Sequence, residues 1–313
     1  MFPRRLKLIE TDLASSDANV VARALDELSR SRRAKAMDLL FRKSRDDSFS
    51  STELAADGFR QSVATHPKVA LRHSSVPLRK AAIRALGLAK VVKAVSELSG
   101  ILRSAASVEM RCLSAEALGS IGHATCVPAL MEARGDSMPE VRKAALHGLQ
   151  QIAGVESERA VIGFLEDSDW SIRLDAKEHL ESAGWTPVER RHKALWGIAL
   201  GRFDEAISHG QDSAEALVDA TLHVNNGEVR RWSTVALSRL NSPWATDRLR
   251  EALGSKSRAE QVAAADALQT LGLPVEPKVL RRLRQPEPPP STGATRDSLF
   301  AAAAQMLSLI GQP

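Results

Sequence analysis

The feature that most restricts how this chain can fold is a fifteen-residue pattern that keeps returning. It reads VPLRKAAIRALGLAK at 76–90, VEMRCLSAEALGSIG at 108–122, PEVRKAALHGLQQIA at 139–153, WSIRLDAKEHLESAG at 170–184 and GEVRRWSTVALSRLN at 227–241. A divergent copy, RAEQVAAADALQTLG, stands at 258–272. One position is a marker arginine: Arg79, Arg111, Arg142, Arg173 and Arg230, replaced by Gln261 in the last copy. Seven residues after each comes leucine: Leu86, Leu118, Leu149, Leu180, Leu237 and Leu268. Near the start, DANVVARALDELSR matches with Val21 and Leu28 in the two places. The marker spacings are 32, 31, 31, 57 and 31, so the unit is about 31 residues long and is interrupted once.

Within each copy, apolar residues stand just before the marker and three and seven residues after it, which is one face of a helix. Alanine fills most intermediate positions; it favours helix and lets neighbouring helices approach closely. The segments between copies, VVKAVSELSGILR, ATCVPALMEAR, SERAVIGFLED and PWATDRLREALG, carry the same apolar spacing. One repeat is therefore a helix–turn–helix pair. A single pair cannot bury its apolar face, so the expected architecture is all-α, a right-handed α-solenoid of stacked pairs. Asp136 and Asp167 fall six residues before Arg142 and Arg173, at the turn within a pair. There a carboxylate can cap a helix and face an arginine of its own or the adjacent repeat. The low aromatic content of 4%, with no tyrosine, agrees with an Ala, Leu, Val and Ile core.

The pattern D-x4-V/I-R-x2-A-x3-L, as in DSMPEVRKAALHGL and DSDWSIRLDAKEHL, resembles the HEAT-like repeats of the phycobilin-lyase (PBS lyase) type. The resemblance spans most of residues 76–272. It implies a scaffold or adaptor, since that branch consists largely of such proteins, with lyase subunits as a minority.

The 57-residue gap exceeds the regular spacing by 26 residues, which marks 184–210, GWTPVERRHKALWGIALGRFDEAISHG, as an insertion. Pro187 and Glu189 open a helix carrying Leu195, Trp196, Ala199 and Leu200; Gly201 breaks it, and FDEAISHG forms a further helical turn. Trp185, Trp196 and Phe203 are expected to be core residues that bury this extra hairpin against the array. Its dense chemistry does not assemble into a catalytic set. Asp204 and Glu205, being adjacent, point about 100° apart on a helix, and nothing places a third ligand or a nucleophile beside His192 and His209. Arg190, Arg191 and Lys193 form a secondary basic patch. Cys112, His123 and Cys126 offer one ligand too few for a structural zinc site, so neither a metal nor a cofactor is expected.

The second helix of each pair is expected to line the concave surface, where such arrays bind. One step after the marker stand Lys80, Cys112, Lys143, Leu174 and Arg231; five steps after it stand Arg84, Glu116, His147, Glu178 and Val235. These positions share a helix face. A nucleic-acid channel calls for nearly continuous Lys and Arg, whereas this ridge mixes both signs with small apolar groups, as a protein-binding groove does.

Basic character is concentrated at the N-terminus: residues 1–90 hold 18 Lys+Arg against 10 Asp+Glu, and the remainder 25 against 28. No apolar run reaches the roughly 18 residues of a membrane span, so a cytoplasmic protein without membrane insertion is expected. The organisation reads as divergent basic helical repeats over 1–75 with an exposed loop near 44–52, then a HEAT-like array over 76–284 interrupted at about 184–210. A Pro-rich linker over 285–297 and an amphipathic helix over 298–313 follow, the helix capping the array or docking on a partner. The function expected is a non-enzymatic scaffold that binds a protein partner. The alternatives are DNA or RNA binding, including DNA-repair glycosylase activity, and a bilin lyase or isomerase subunit. HEAT-like metal hydroxylases use His-Glu dipeptides, and here Glu178-His179 stands in reverse order.

Overall fold

The computed structural model describes residues 2–285. Most of the predicted linker, 286–297, and the predicted helix at 298–313 lie outside the described residues. Among those described, all regular structure is helical, an all-α repeat fold, and no helix is long and apolar enough to cross a membrane. The chain divides into two compact units, Met1–Ser242 and a second beginning at Pro243.

The first unit opens with α1 (Phe2–Leu13), α2 (Ala18–Ser29), α3 (Ala34–Lys43) and α4 (Thr52–Thr65). Pairs follow: α5 (Pro67–Leu71) with α6 (Val76–Leu88), α7 (Val95–Ser104) with α8 (Val108–Ile121), α9 (Val127–Glu132) with α10 (Pro139–Gln150), and α11 (Val155–Ile162) with α12 (Trp170–Ser182). Then come α13 (Arg190–Ala199), α14 (Phe203–Ala206), α15 (Gln211–His223) and α16 (Gly227–Leu240). The second unit contains α17 (Pro243–Ala252), α18 (Arg258–Thr270) and α19 (Pro277–Arg284).

Each copy of the fifteen-residue pattern is a second helix of a pair, and its start is written locally. Ser75, Ser107, Asp169 and Asn226 stand four residues before a marker, and each side-chain oxygen accepts a hydrogen bond from an amide in the first turn. Such a cap is worth about 1 kcal/mol. All six marker leucines are buried. Second helices pack in succession, α4 on α6, α6 on α8, α8 on α10 and α10 on α12. Small residues allow the backbones to touch: a Cβ on Gly119 would lie 2.5 Å from the Gly148 Cα, and one on Gly87 would lie 2.8 Å from the Ala117 Cα.

The marker side chains do two things. Each donates to the main-chain carbonyl six residues before it: Arg79 to His73, Arg111 to Ala105, Arg142 to Asp136, Arg173 to Asp167, Arg230 to Val224, and Gln261 to Ser255 within the second unit. This holds the turn against the start of the second helix. Three arginines then reach a carboxylate of the next repeat. Arg111 grips Asp136 at 2.7 and 3.0 Å, Arg142 grips Asp167 with two contacts of 2.8 Å, and Arg173 Nη2 lies 2.7 Å from Asp219 Oδ2. The turn carboxylate thus serves the arginine of the preceding repeat, while its own arginine takes the carbonyl. Hydrogen bonding to Asp167 raises the Arg142 pKa against the opposing effect of burial.

At the N-terminal end, residues 44–51 connect α3 and α4. The exposed loop expected there is pinned at one point. Phe49 is buried, with Lys43 Nζ 4.9 Å from its ring centre and 2.9 Å from Asp46. An apolar ring in a polar stretch supplies the anchor.

Removing one member of the buried Arg142–Asp167 pair leaves a charge without its partner, which costs about 3–5 kcal/mol. Urea denaturation of Arg142→Ala is expected to show a loss of that size, whereas Arg103→Ala, which breaks an exposed pair with Glu132, should leave the midpoint unchanged. Burial disfavours the Asp136 carboxylate, but hydrogen bonds from Arg111 and the Met138 amide outweigh it and hold its pKa below the ordinary value. Its contribution to stability is therefore present above the unfolded pKa and lost as pH falls through the folded one. Thermal melts should show Asp136→Asn less stable than wild type at neutral pH and less sensitive to acidification below about pH 4.

Candidate binding surface

The second helices carry the ridge residues, and the structure links several of them to carboxylates on the next helix. Lys80 of α6 meets Glu109 of α8. Lys143 Nζ of α10 lies 2.9 Å from Asp175 Oδ2 of α12, and His147 Nε2 is 3.5 Å from the same oxygen. Arg84, Glu116, Glu178 and Arg231 are exposed; Cys112, Leu174 and Val235 are half-buried. Burial, then Glu116 and Glu140, push up the Cys112 thiol, and burial pushes up Cys126, so both stay protonated at neutral pH. Among the described residues no group of three or more His, Cys, Asp or Glu is placed to hold a metal ion. Sequence reasoning missed Glu109 and Asp175. A signal existed for the first, because Glu109, Glu140 and Glu228 all stand two residues before a marker.

The insertion is α13 and α14 with a short 3-10 turn at Ile207–His209. Its buried residues are Ala194, Leu195, Gly197, Ile198, Ala199 and Ala206. Trp185, Trp196 and Phe203, expected to bury it against the array, are only half-buried. The buried positions are taken by Leu195 and Ile198, and α13 and α14 approach closely at one point, where a Cβ on Gly197 would lie 3.1 Å from the Ala206 amide nitrogen. Trp185 and Trp196 instead pack on each other, with ring centres 5.3 Å apart. Of the basic patch, Arg190 and Lys193 are exposed. Arg191 is committed inward, 2.7 Å from Glu166 and 2.9 Å from Glu215. His192 is 3.5 Å from Glu189, Asp204 pairs with Arg239, and Glu205 is 3.5 Å from Arg202.

Beyond the insertion the turns of successive pairs resume their stacking. Asn225 donates its amide to the Ser168 carbonyl at 2.9 Å, accepts from the Trp170 amide at 2.9 Å, and donates its side-chain nitrogen to Asp169 at 3.0 Å. The start of α16 is thereby docked on the start of α12, although 57 residues separate their markers.

Two clefts flank the insertion. One, of about 600 Å³, lies between α11 and α13 and is lined by Arg134, Arg159, Ile162, Trp185, Val188 and Leu195 among others. The second, of about 730 Å³ and open to solvent, is lined by Trp170 of α12, Ile198 and Gly201 to Glu205 of the insertion, and Glu228, Val229 and Trp232 of α16.

Family models of HEAT repeats match residues 67–138 and 95–181, and the PBS lyase HEAT-like repeat matches 229–255. Among solved structures the chain is similar to an engineered protein, at 18% identity over 88% of this chain and 80% of that one, TM-score 0.32. It is also similar to human deoxyhypusine hydroxylase in complex with glycerol, at 18% identity over 82% and 98%, TM-score 0.29. A third is the complex of CpcE and CpcF of phycocyanin lyase from Nostoc sp. PCC7120, at 20% identity over 88% and 92%, TM-score 0.27. No curated protein matches the chain.

Asn225→Ala deletes the two side-chain hydrogen bonds across the α12–α16 junction. It is expected to lower stability by about 1–2 kcal/mol, and hydrogen exchange should then quicken at the Trp170 amide while α8 and α10 are unaffected.

Proposed function

We propose that this chain, a HEAT-like repeat protein, is a non-enzymatic scaffold or adaptor that holds a protein partner on the face formed by its second helices. The observation that supports this reading is the charge arrangement of the ridge. Two of its four cations are engaged sideways, Lys80 with Glu109 and Lys143 with Asp175, while Arg84 and Arg231 are exposed and stand apart from one another along the ridge, separated by Glu116 and Glu178. A row of phosphates needs successive uncompensated cations, whose released counterions drive binding. Here each engaged lysine brings a carboxylate that repels phosphate. Paired charges next to half-buried Cys112 and Leu174 suit a partner with its own pattern of both signs, because complementary charges select a protein partner and set its register.

The triple reversal Lys80→Glu, Arg84→Glu and Lys143→Glu tests the face directly. A tagged wild-type chain should recover a defined protein from its native cell, and the reversed chain, folded by circular dichroism, should recover at most about one tenth as much. Equal recovery would sink the proposed face. A gel-shift salt titration separates the nucleic-acid alternative: tight binding at low salt that falls steeply as salt rises would favour it.

A further inference from the structure

We infer that the cleft between α12, the insertion and α16 receives an arginine side chain of the protein partner. The inference rests on the scaffold reading and names the chemistry one part of that surface recognises. Three aromatic residues from three elements line it: Trp170, Phe203 and Trp232. Trp232 is 48% exposed, a large apolar surface left open to water on a helix whose other face is in the core. Ile198 and Val229 complete the apolar wall, and the volume of about 730 Å³ accommodates a long side chain with its flanking backbone.

The polar lining selects the sign of the guest. Its lining holds three carboxylates, Asp204, Glu205 and Glu228, and one cation, Arg202, with Arg239 reaching Asp204 and Arg231 lying over the Trp232 ring from outside the lining. Asp204 is engaged by Arg239 and Glu205 lies 3.5 Å from Arg202. That leaves the exposed Glu228 as the carboxylate available to a guest. An anion would ordinarily be drawn to a helix N-terminus, and both α12 and α16 begin at this cleft. Both are closed to it: Asp169 accepts from the Ser171 amide, and Asn226 accepts from the amides of Glu228 and Val229. A phosphate would therefore meet carboxylates and already satisfied amides.

The rings favour a cation for the complementary reason, the negative face of the indole. The molecule supplies its own example, since the Arg231 guanidinium carbon lies 5.3 Å from the centre of the Trp232 ring, and a guest arginine competes with this exposed side chain for the indole. Arginine fits better than lysine because its planar guanidinium stacks on an indole while its edge offers a two-pronged donor to a carboxylate such as Glu228.

Indole N–H signals of the nitrogen-15-labelled full chain read the cleft, with Trp170→Phe and Trp232→Phe assigning two of the five. The probe is acetyl-arginine amide, and its neutral isostere is acetyl-citrulline amide. The Trp170 and Trp232 signals should shift with arginine, and citrulline should bind at least about fivefold more weakly. Glu228→Gln should weaken the arginine probe by roughly fivefold, and Trp232→Ala should abolish the Trp170 shift. Both residues are exposed, and thermal melts confirm that the variants fold. Equal shifts with citrulline, a response to inorganic phosphate or a short oligonucleotide in place of arginine, or no shift at all would overturn the inference. If the ridge reversal abolishes partner recovery while Trp232→Ala and Glu228→Gln leave it intact, the scaffold reading stands and the cleft assignment fails. If the cleft binds arginine and the ridge reversal leaves recovery unchanged, the proposed face fails and the arginine site stands.

Discussion

An arginine that joins one repeat to the next is the interaction on which the middle of the first unit, from α8 to α15, depends. Arg111, Arg142 and Arg173 each hold their own turn by a carbonyl and the following repeat by a carboxylate, so Asp136 and Asp167 are each used twice, through the main chain and through the side chain. The worth of this arrangement lies in geometry more than in net energy. Desolvating two charges offsets most of their attraction, and an apolar pair of equal volume can be as stable. A two-pronged guanidinium–carboxylate contact, however, is satisfied in one orientation only. Alanine and glycine surfaces slide easily past each other, and the ladder supplies the directional contact that fixes where they stop.

The insertion shows how far that constraint reaches. Regular spacing would place the carboxylate partner of Arg173 twenty-five residues on, as for Arg111 and Arg142, but that position is Ile198, inside the extra hairpin. Asp219 on α15 takes over the role, and Asn225 docks the next turn on the last regular one. The stack thus continues through its turns while α13 and α14 are accommodated beside α12 and α16. Two clefts are the geometric consequence, and the one lined by three aromatic rings gives this part of the surface a chemistry the regular repeats lack.

Much of this is legible in the residues. Helical pairs, their period, the buried leucines and the interruption at 184–210 all follow from spacing along the chain, and the placement of Asp136 and Asp167 at the turns points to a structural part for the arginines. The ridge residues can be named from helical register, but not their pairing, because Glu109 and Asp175 lie on neighbouring repeats. The aromatic residues of the insertion depart from expectation for a related reason. Ring size suggests a core, whereas Leu195 and Ile198 take the buried positions and Trp185 and Trp196 pack on each other.

The sequence by itself determined that the repeat copies and the segments between them are helices and which leucines face inward. Those properties depend on residues within about two helical turns of one another, where periodicity and capping act directly. Only the tertiary structure decided that Arg173 pairs with Asp219, that Arg191 turns inward, and that Trp170, Phe203 and Trp232 share one cleft. These meetings join residues tens of positions apart, and backbone packing together with the direction of a guanidinium settles them, leaving no periodic trace in the chain.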